Sequence, residues 1–321
     1  MATAQPDNTV FLWDIVDPAT PRRVGERLAN HSDYVFYLAF SADGKTLATG
    51  SRDNTVALWD LVDPEQPRAL GQPIRVGPPL PPFTIGPETL DSVALSPDGT
   101  TLATAQQLGV TLWDLSDREA PRPIGSPFGT GSFDLSFSAD GIRLATGDSV
   151  WDLTDRAQPR PLVQGIGGEI LPNGLTLATV DNKGVTLWDL ADPGAPRALG
   201  QPFGAPVDEM TLSGDGSKLA TSSYETGSAV LWDLTDQTRP RPLGQPLSAT
   251  GGVSSISFSP NGRTIAVSGS DSTVVLRDLT RLSEFRRDPL GQACSRAGGP
   301  LDPTLWSNYA PGFDYQNTCQ N

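Results

Sequence analysis

At 321 residues the chain has room for two average domains or for one large repeat domain. Its formal net charge of −14 and pI near 4.4 argue against a general nucleic-acid or anionic-membrane surface, because phosphate binding needs concentrated lysine and arginine. The 33 glycines and 30 prolines would signal disorder in a chain without a period, but here they recur at fixed places and read as turn punctuation.

Residues 1–10 lack the basic, apolar and small-residue succession of a secretory leader, and no stretch approaches the roughly 20 apolar residues of a membrane span. A soluble, cytoplasmic chain with no direct membrane insertion is expected. An extracytoplasmic domain of a membrane-anchored parent is the alternative. Residues 1–5 match the end of a strand that returns at 102–106, 9–14 read as a strand carrying a Trp-Asp pair, and 22–28 as the strand after it.

From there the chain repeats itself. Trp-Asp pairs stand at Trp13, Trp59, Trp113, Trp151, Trp188 and Trp232, each followed by a copy of the stretch at 59–74, and a seventh frame at 274–279 has Arg277 where Trp is expected. Spacings of 37 to 54 residues identify a repeat architecture. The second repeat divides into four β-rich runs, at 33–44, 46–51, 55–60 and 68–74, with Asp43-Gly44, Asp53-Asn54 and Asp63-Pro64 at the joints. A four-stranded meander cannot bury both faces alone, whereas radial stacking of such sheets can.

First strands begin near Tyr34, Leu90, Phe133, Glu169, Val207 and Val253, so seven third strands are matched by six first strands. The fourth and fifth repeats are clipped. One arginine per repeat, as at Arg22 and Arg68, follows an aspartate five residues earlier, Asp17 and Asp63, which predicts an Asp-capped turn with an Arg partner. The one large insertion, at 75–88, is proline-rich and favours extended recognition geometry. Beyond Arg281 the pattern changes: 282–297 reads as a helix and Asp302-Pro303 as the start of another.

Six Trp-Asp pairs at this spacing resemble the WD-repeat β-propellers over residues 1–280. The resemblance implies an all-β propeller of seven blade positions with an incomplete seam blade, followed by a short helical tail at 281–321 packed on it. It also implies a stiffening hydrogen-bonded chain of His31, Ser51, Asp53 and Trp59, with structural roles for Trp13, Trp113, Trp151, Trp188 and Trp232. The tail resembles the Cys-containing extension of large bacterial multidomain WD-repeat proteins. Cys294 and Cys319 are then either free thiols or a disulfide.

Nothing marks a catalytic centre. The only histidine is explained by the tetrad, the two cysteines lie far apart, and no phosphate-binding glycine loop occurs, so no metal, no cofactor and no enzyme activity is expected. The expected function is a non-catalytic scaffold or sensor module for other proteins, or for other modules of a parent protein, with no nucleic-acid partner. Tyr34, Arg52, Leu80, Pro81, Phe83 and Tyr224 are the candidate partner-binding residues on one face. The alternative is a propeller enzyme or small-ligand sensor using the central channel.

Overall fold

A computed structural model describes residues 1–77, 89–130, 134–249 and 252–280. Its strands fall into seven antiparallel sheets. The first holds β1 (Ala2–Ala4), β2 (Val10–Asp14) and β3 (Arg22–Leu28), and the second β4 (Val35–Phe40), β5 (Thr46–Ser51), β6 (Thr55–Asp60) and β7 (Arg68–Arg75). The third holds β8 (Leu90–Leu95), β9 (Thr101–Gln106), β10 (Gly109–Asp114) and β11 (Arg122–Phe128). The fourth is β12 (Ser136–Phe137), β13 (Arg143–Ala145), β14 (Ser149–Asp152) and β15 (Arg160–Gln164). The fifth is β16 (Glu169–Ile170), β17 (Thr176–Asp181), β18 (Gly184–Asp189) and β19 (Arg197–Ala198). In the sixth, β20 (Glu209–Leu212), β21 (Lys218–Ser223) and β22 (Ser228–Asp233) are followed by β23 (Arg241–Pro242) and β24 (Leu247–Ser248), both paired with β22. The seventh holds β25 (Val253–Phe258), β26 (Thr264–Gly269) and β27 (Val274–Asp278).

By internal contacts the chain divides into two compact units, Met1–Thr179 with Trp188–Arg197, and Val180–Leu187 with the residues from Ala198 onward. Each unit repeats one packing solution. In the first, Leu47, Leu102, Leu144 and Leu177 occupy the same place in successive second strands and are fully buried. In the second, Leu219 and Ile265 do the same. Side chains alternate between the two faces of a strand, so the Leu-Ala-Thr frame puts leucine and threonine on one face and the small alanine on the other. Burying one such leucine stabilises by about 1.5–3 kcal/mol.

The hairpin joining first to second strands is built alike in both units. Ser41 Oγ donates to Asp43 Oδ1 at 2.7 Å, Asp43 Oδ1 also accepts from the Lys45 N–H, and Gly44 takes φ +70°. Ser213 and Asp215 repeat it with Gly216 at φ +66°. Asp215 is partly buried, which works against its charge, but hydrogen bonds from Ser213 and Ser217 outweigh that and hold its carboxyl at about 2. The clipped repeats show as short strands β12, β13 and β16, as their sequence predicts.

One expectation needs correcting. Arg68 pairs with Asp60 at 2.9 Å and Arg22 with Asp14 at 3.6 Å, not with Asp63 and Asp17. Arg68 sits directly opposite Asp60 across the β6–β7 ladder, while the exposed Asp63 accepts the Glu65 N–H of its own turn at 3.1 Å. The arginine therefore partners the aspartate of the Trp-Asp pair. Among the described residues the first sheet has three strands and its meander starts with a second-type strand, in line with the incomplete blade. Leu80, Pro81, Phe83, Phe133, the helix expected at 282–297, Cys294, Cys319 and the tail lie outside the described residues.

Candidate interaction site

The loop after β3 and the β5–β6 turn bring His31, Asp53 and Thr55 together. His31 Nε2 lies 2.7 Å from Thr49 Oγ1, and Nδ1 lies 3.1 Å from Thr55 Oγ1 and 3.4 Å from Asp53 Oδ2. Trp59 Nε1 donates to Thr49 Oγ1 at 3.1 Å. The chain of bonds thus runs Asp53, His31, Thr49, Trp59. This corrects the expected role of Ser51, whose hydroxyl donates instead to the Asp33 carbonyl and accepts from the Asp53 N–H.

The reason is register. Leu47 faces Trp59 across the ladder and Thr49 is its next neighbour on that face, within diagonal reach of the indole, whereas Ser51 stands one pleat further away. The same bond recurs from Trp13 to Thr3, Trp113 to Thr104, Trp188 to Thr179 and Trp232 to Thr221, at 2.9 to 3.0 Å. The signal was present in the sequence as the threonine that closes each Ala-Thr pair.

Trp151 is the exception: its buried Nε1 has no hydrogen-bond partner among the described residues. The equivalent threonine, Thr146, turns its hydroxyl to Asp148 and to the Ser149 carbonyl, because the clipped hairpin brings them within 3.2 and 3.1 Å. An unmet buried donor costs about 1–3 kcal/mol. Trp151→Phe is therefore expected to leave the melting temperature unchanged or raised, and Trp113→Phe to lower stability by about 1 kcal/mol or more, measured by calorimetry. Equal losses in the two variants would show that the orphaned N–H has no energetic weight.

Asp53 is partly buried, which works against its charge, but hydrogen bonds from His31, Thr55 and the Ser32 N–H prevail and hold its carboxyl far below the usual carboxylate range. Thr49, His31 and Asp53 superficially have the order of a hydroxyl, base and acid. Thr49 is fully buried and its hydroxyl is held by the indole, so no substrate carbonyl can approach it. Beside this network opens a polar cleft of about 530 Å³, lined by Asp7, Asn30, Ser32, Asp53, Thr55 and Arg75 among others.

Tyr34 and Arg52 meet at one edge of the second sheet, where the Arg52 N–H donates to the Tyr34 carbonyl at 2.9 Å. Tyr224 belongs to the other unit, exposed, its N–H donating to Asp208 Oδ2 at 2.7 Å. Along β4 the rings of Tyr34 and Phe36, and of Phe36 and Tyr37, stand 6.3 Å apart. Burial, and then the charges of Asp91 and Asp134, push the Tyr37 hydroxyl up to about 12, and burial raises both carboxyls. Sequence reasoning missed this patch, because Phe36 and Phe40 read simply as strand residues. Among the described residues no three His, Cys, Asp or Glu side chains gather as a metal site, and no helix is long and apolar enough to cross a membrane.

A family described as "WD domain, G-beta repeat" matches residues 23–60 and 242–278. No curated protein matches the chain. Among solved structures, the β-propeller domain of Cps50 (Swd1) from Myceliophteria thermophila is similar with a TM-score of 0.63 and 18% identity, over 87% of this chain and 93% of that one. At that identity the likeness is one of fold.

Proposed function

We propose that this chain, a WD-repeat β-propeller of seven blades, is a non-catalytic scaffold that binds other proteins, or other modules of a parent protein, through the loops at the blade edges. The observation that carries this reading is the contrast between a stiff frame and its decorated loops. His31, Thr49 and Trp59 are locked in the interior, while Tyr34 and Tyr224 present their rings to solvent. Rigid aromatic and arginine side chains supply most of the energy of protein interfaces at low entropic cost. Residues 1–280 form the binding body and 281–321 a tail associated with it, in a cytoplasmic setting.

Affinity capture from the native cell, with mass spectrometry, tests this. Arg52→Ala and Tyr224→Ala are expected to weaken capture of at least one partner about tenfold or more, and so is deletion of residues 77–85. Thermal stability should move by less than about 0.5 kcal/mol in Tyr224→Ala, as is usual for an exposed position. If all three variants retain every partner, these loops are not the binding surface. Turnover of any substrate class by the purified chain, abolished by a substitution in the cleft beside His31, would replace the scaffold reading with an enzymatic one.

A further inference from the structure

The turn between third and fourth strands is built alike along the chain, but one position in it sets the first two repeats apart. Three places after the tryptophan position, five repeats carry Ser116, Thr154, Ala191, Thr235 or Thr280, and the first two carry Val16 and Val62. These are the two most exposed large apolar side chains among the described residues, at 93% and 69%. The turn itself does not ask for valine. What it uses at this place is the backbone N–H, which donates to the aspartate of the Trp-Asp pair from Val16 and Val62 at 3.0 Å, and from Ser116 and Thr154 at 2.8 Å. A threonine adds a second bond through its hydroxyl, as Thr154 does to Asp152 at 2.5 Å, and valine forgoes it.

The same two turns carry unbalanced charge. Residues 14–22 and 60–68 hold Asp14, Asp17, Asp60, Asp63 and Glu65 against Arg22 and Arg68, whereas the turns of the third, fourth and sixth repeats include a second arginine, Arg118, Arg156 or Arg239. The two turns also meet: Arg22 Nη1 lies 3.1 Å from Glu65 Oε1, and the Gly25 N–H donates to Glu65 Oε2 at 3.3 Å. They form one surface. Hydrogen bonds, first from the Thr20 hydroxyl to Asp17 and from the Val62 N–H to Asp60, hold both carboxyls below the usual carboxylate range, so both are charged at neutral pH. The hairpin beside the second turn, whose Lys45 carbonyl accepts the Leu61 N–H, adds Asp43 and Lys45, and these cancel. In the second sheet this surface lies at the Asp60–Arg68 end of the β6–β7 ladder, opposite the Thr55–Arg75 end near Arg52.

On the reading of the chain as a protein-binding module, we propose that the Val16 and Val62 turns form a second docking surface, which takes a basic amphipathic segment of a partner protein. Its apolar side chains cover the two valines, and its lysines or arginines meet Asp17, Asp63 and Glu65. Charge selects this occupant. A second copy of the chain brings the same net charge of −14 and is repelled. The chain's own segments outside the described residues do not supply the missing positive charge: 78–88 has one glutamate and no lysine or arginine, and 281–321 has four arginines against four carboxylates. A nucleic acid is excluded by the sign of the surface.

The probe is a fluorescein-labelled amphipathic peptide of leucine and lysine, about 18 residues long with leucines at helical spacing, titrated into the full chain by anisotropy. Two controls have the same length, one with serine for every leucine and one with glutamate for every lysine. Saturable binding of the first peptide is expected, at least tenfold tighter than either control and weakened by salt. Val16→Thr combined with Val62→Thr should weaken it at least fivefold. Threonine stands at this place in three other repeats, so the variant keeps the turn, and circular dichroism checks the fold. Asp17→Asn combined with Asp63→Asn should also weaken binding and flatten its salt dependence, since asparagine serves such turns as aspartate does. No binding, equal affinity for the serine control, or unchanged affinity in the threonine variant overturns the proposal. Self-association of the chain that the threonine variant abolishes gives the surface to a second copy and overturns it as well. Arg52→Ala should leave peptide binding unchanged, so failure of this surface and failure of the loop surface are told apart.

Discussion

Gly71→Ala is expected to destabilise the chain by about 3–5 kcal/mol, against about 1–2 kcal/mol for Gly44→Ala. Both glycines adopt left-handed backbone, φ +66° and +70°, so both pay the same conformational cost for a β-carbon. They differ in what that carbon meets. At Gly44 nothing lies within 4 Å, whereas at Gly71 the added atom would stand 2.2 Å from the backbone carbonyl oxygen of Glu119, in the turn of the next sheet. A carbonyl held in a turn cannot swing away as a flexible side chain can, so the two sheets must part. The bulge that holds Gly71 lies between the Val56–Ile74 and Leu58–Leu70 pairs, and its N–H is already bound by Glu119 Oε2 at 2.8 Å.

The same contact is built twice more in that unit, from Gly25 to Pro64 and from Gly125 to Ala157, and once in the other, from Gly200 to Thr238. Denaturant unfolding of the two alanine variants measures the difference directly. Equal midpoints would mean that the sheets do not depend on this approach.

These glycines mark where sequence reasoning stopped. The strand order, the turns at Asp-Gly pairs and the clipped fourth and fifth repeats were all legible, because a period-two apolar pattern and turn chemistry are local properties. What packs one repeat against the next was not, since it depends on which atoms meet across sheets. Gly71 read as one letter of a repeated motif, and its reason appeared only with the Glu119 carbonyl beside it. Arg118 and Arg156 are a second case. They stand where Pro18 and Pro64 occur in other repeats, and each reaches back to the preceding sheet, Arg118 to Thr46 Oγ1 at 2.8 Å and Arg156 to Thr101 Oγ1 at 2.6 Å. The exchange of Pro for Arg was visible in the sequence; its partner was not. In the candidate site the histidine and the tryptophan were found from the family pattern, but the hydroxyl between them was assigned two residues too far along the strand.

That hydroxyl network leads to the second large effect: Asp53→Asn is expected to lower stability by about 2–4 kcal/mol at neutral pH. The two carboxylate oxygens of Asp53 each accept a backbone N–H, Oδ1 from Thr55 at 3.0 Å and Oδ2 from Ser32 at 2.8 Å. An asparagine must turn its own NH2 group toward one of these donors, and the site, 11% exposed at that side chain, offers little water in compensation. The loss also removes the carboxylate that lies 3.4 Å from His31 Nδ1, leaving Thr55 Oγ1 at 3.1 Å as the partner there. The pH dependence has a definite sign. Since the folded-state carboxyl is held below its unfolded value of about 3.9, its contribution is fully present above that value and is lost as pH falls through the lower, folded one. Calorimetric melting temperatures of the parent chain and of Asp53→Asn should therefore differ most from pH 5 to 7 and converge as the pH is taken below about 4. Curves that remain parallel down to pH 2 would show that the ionised carboxylate is not what holds His31, Thr49 and Trp59 in line.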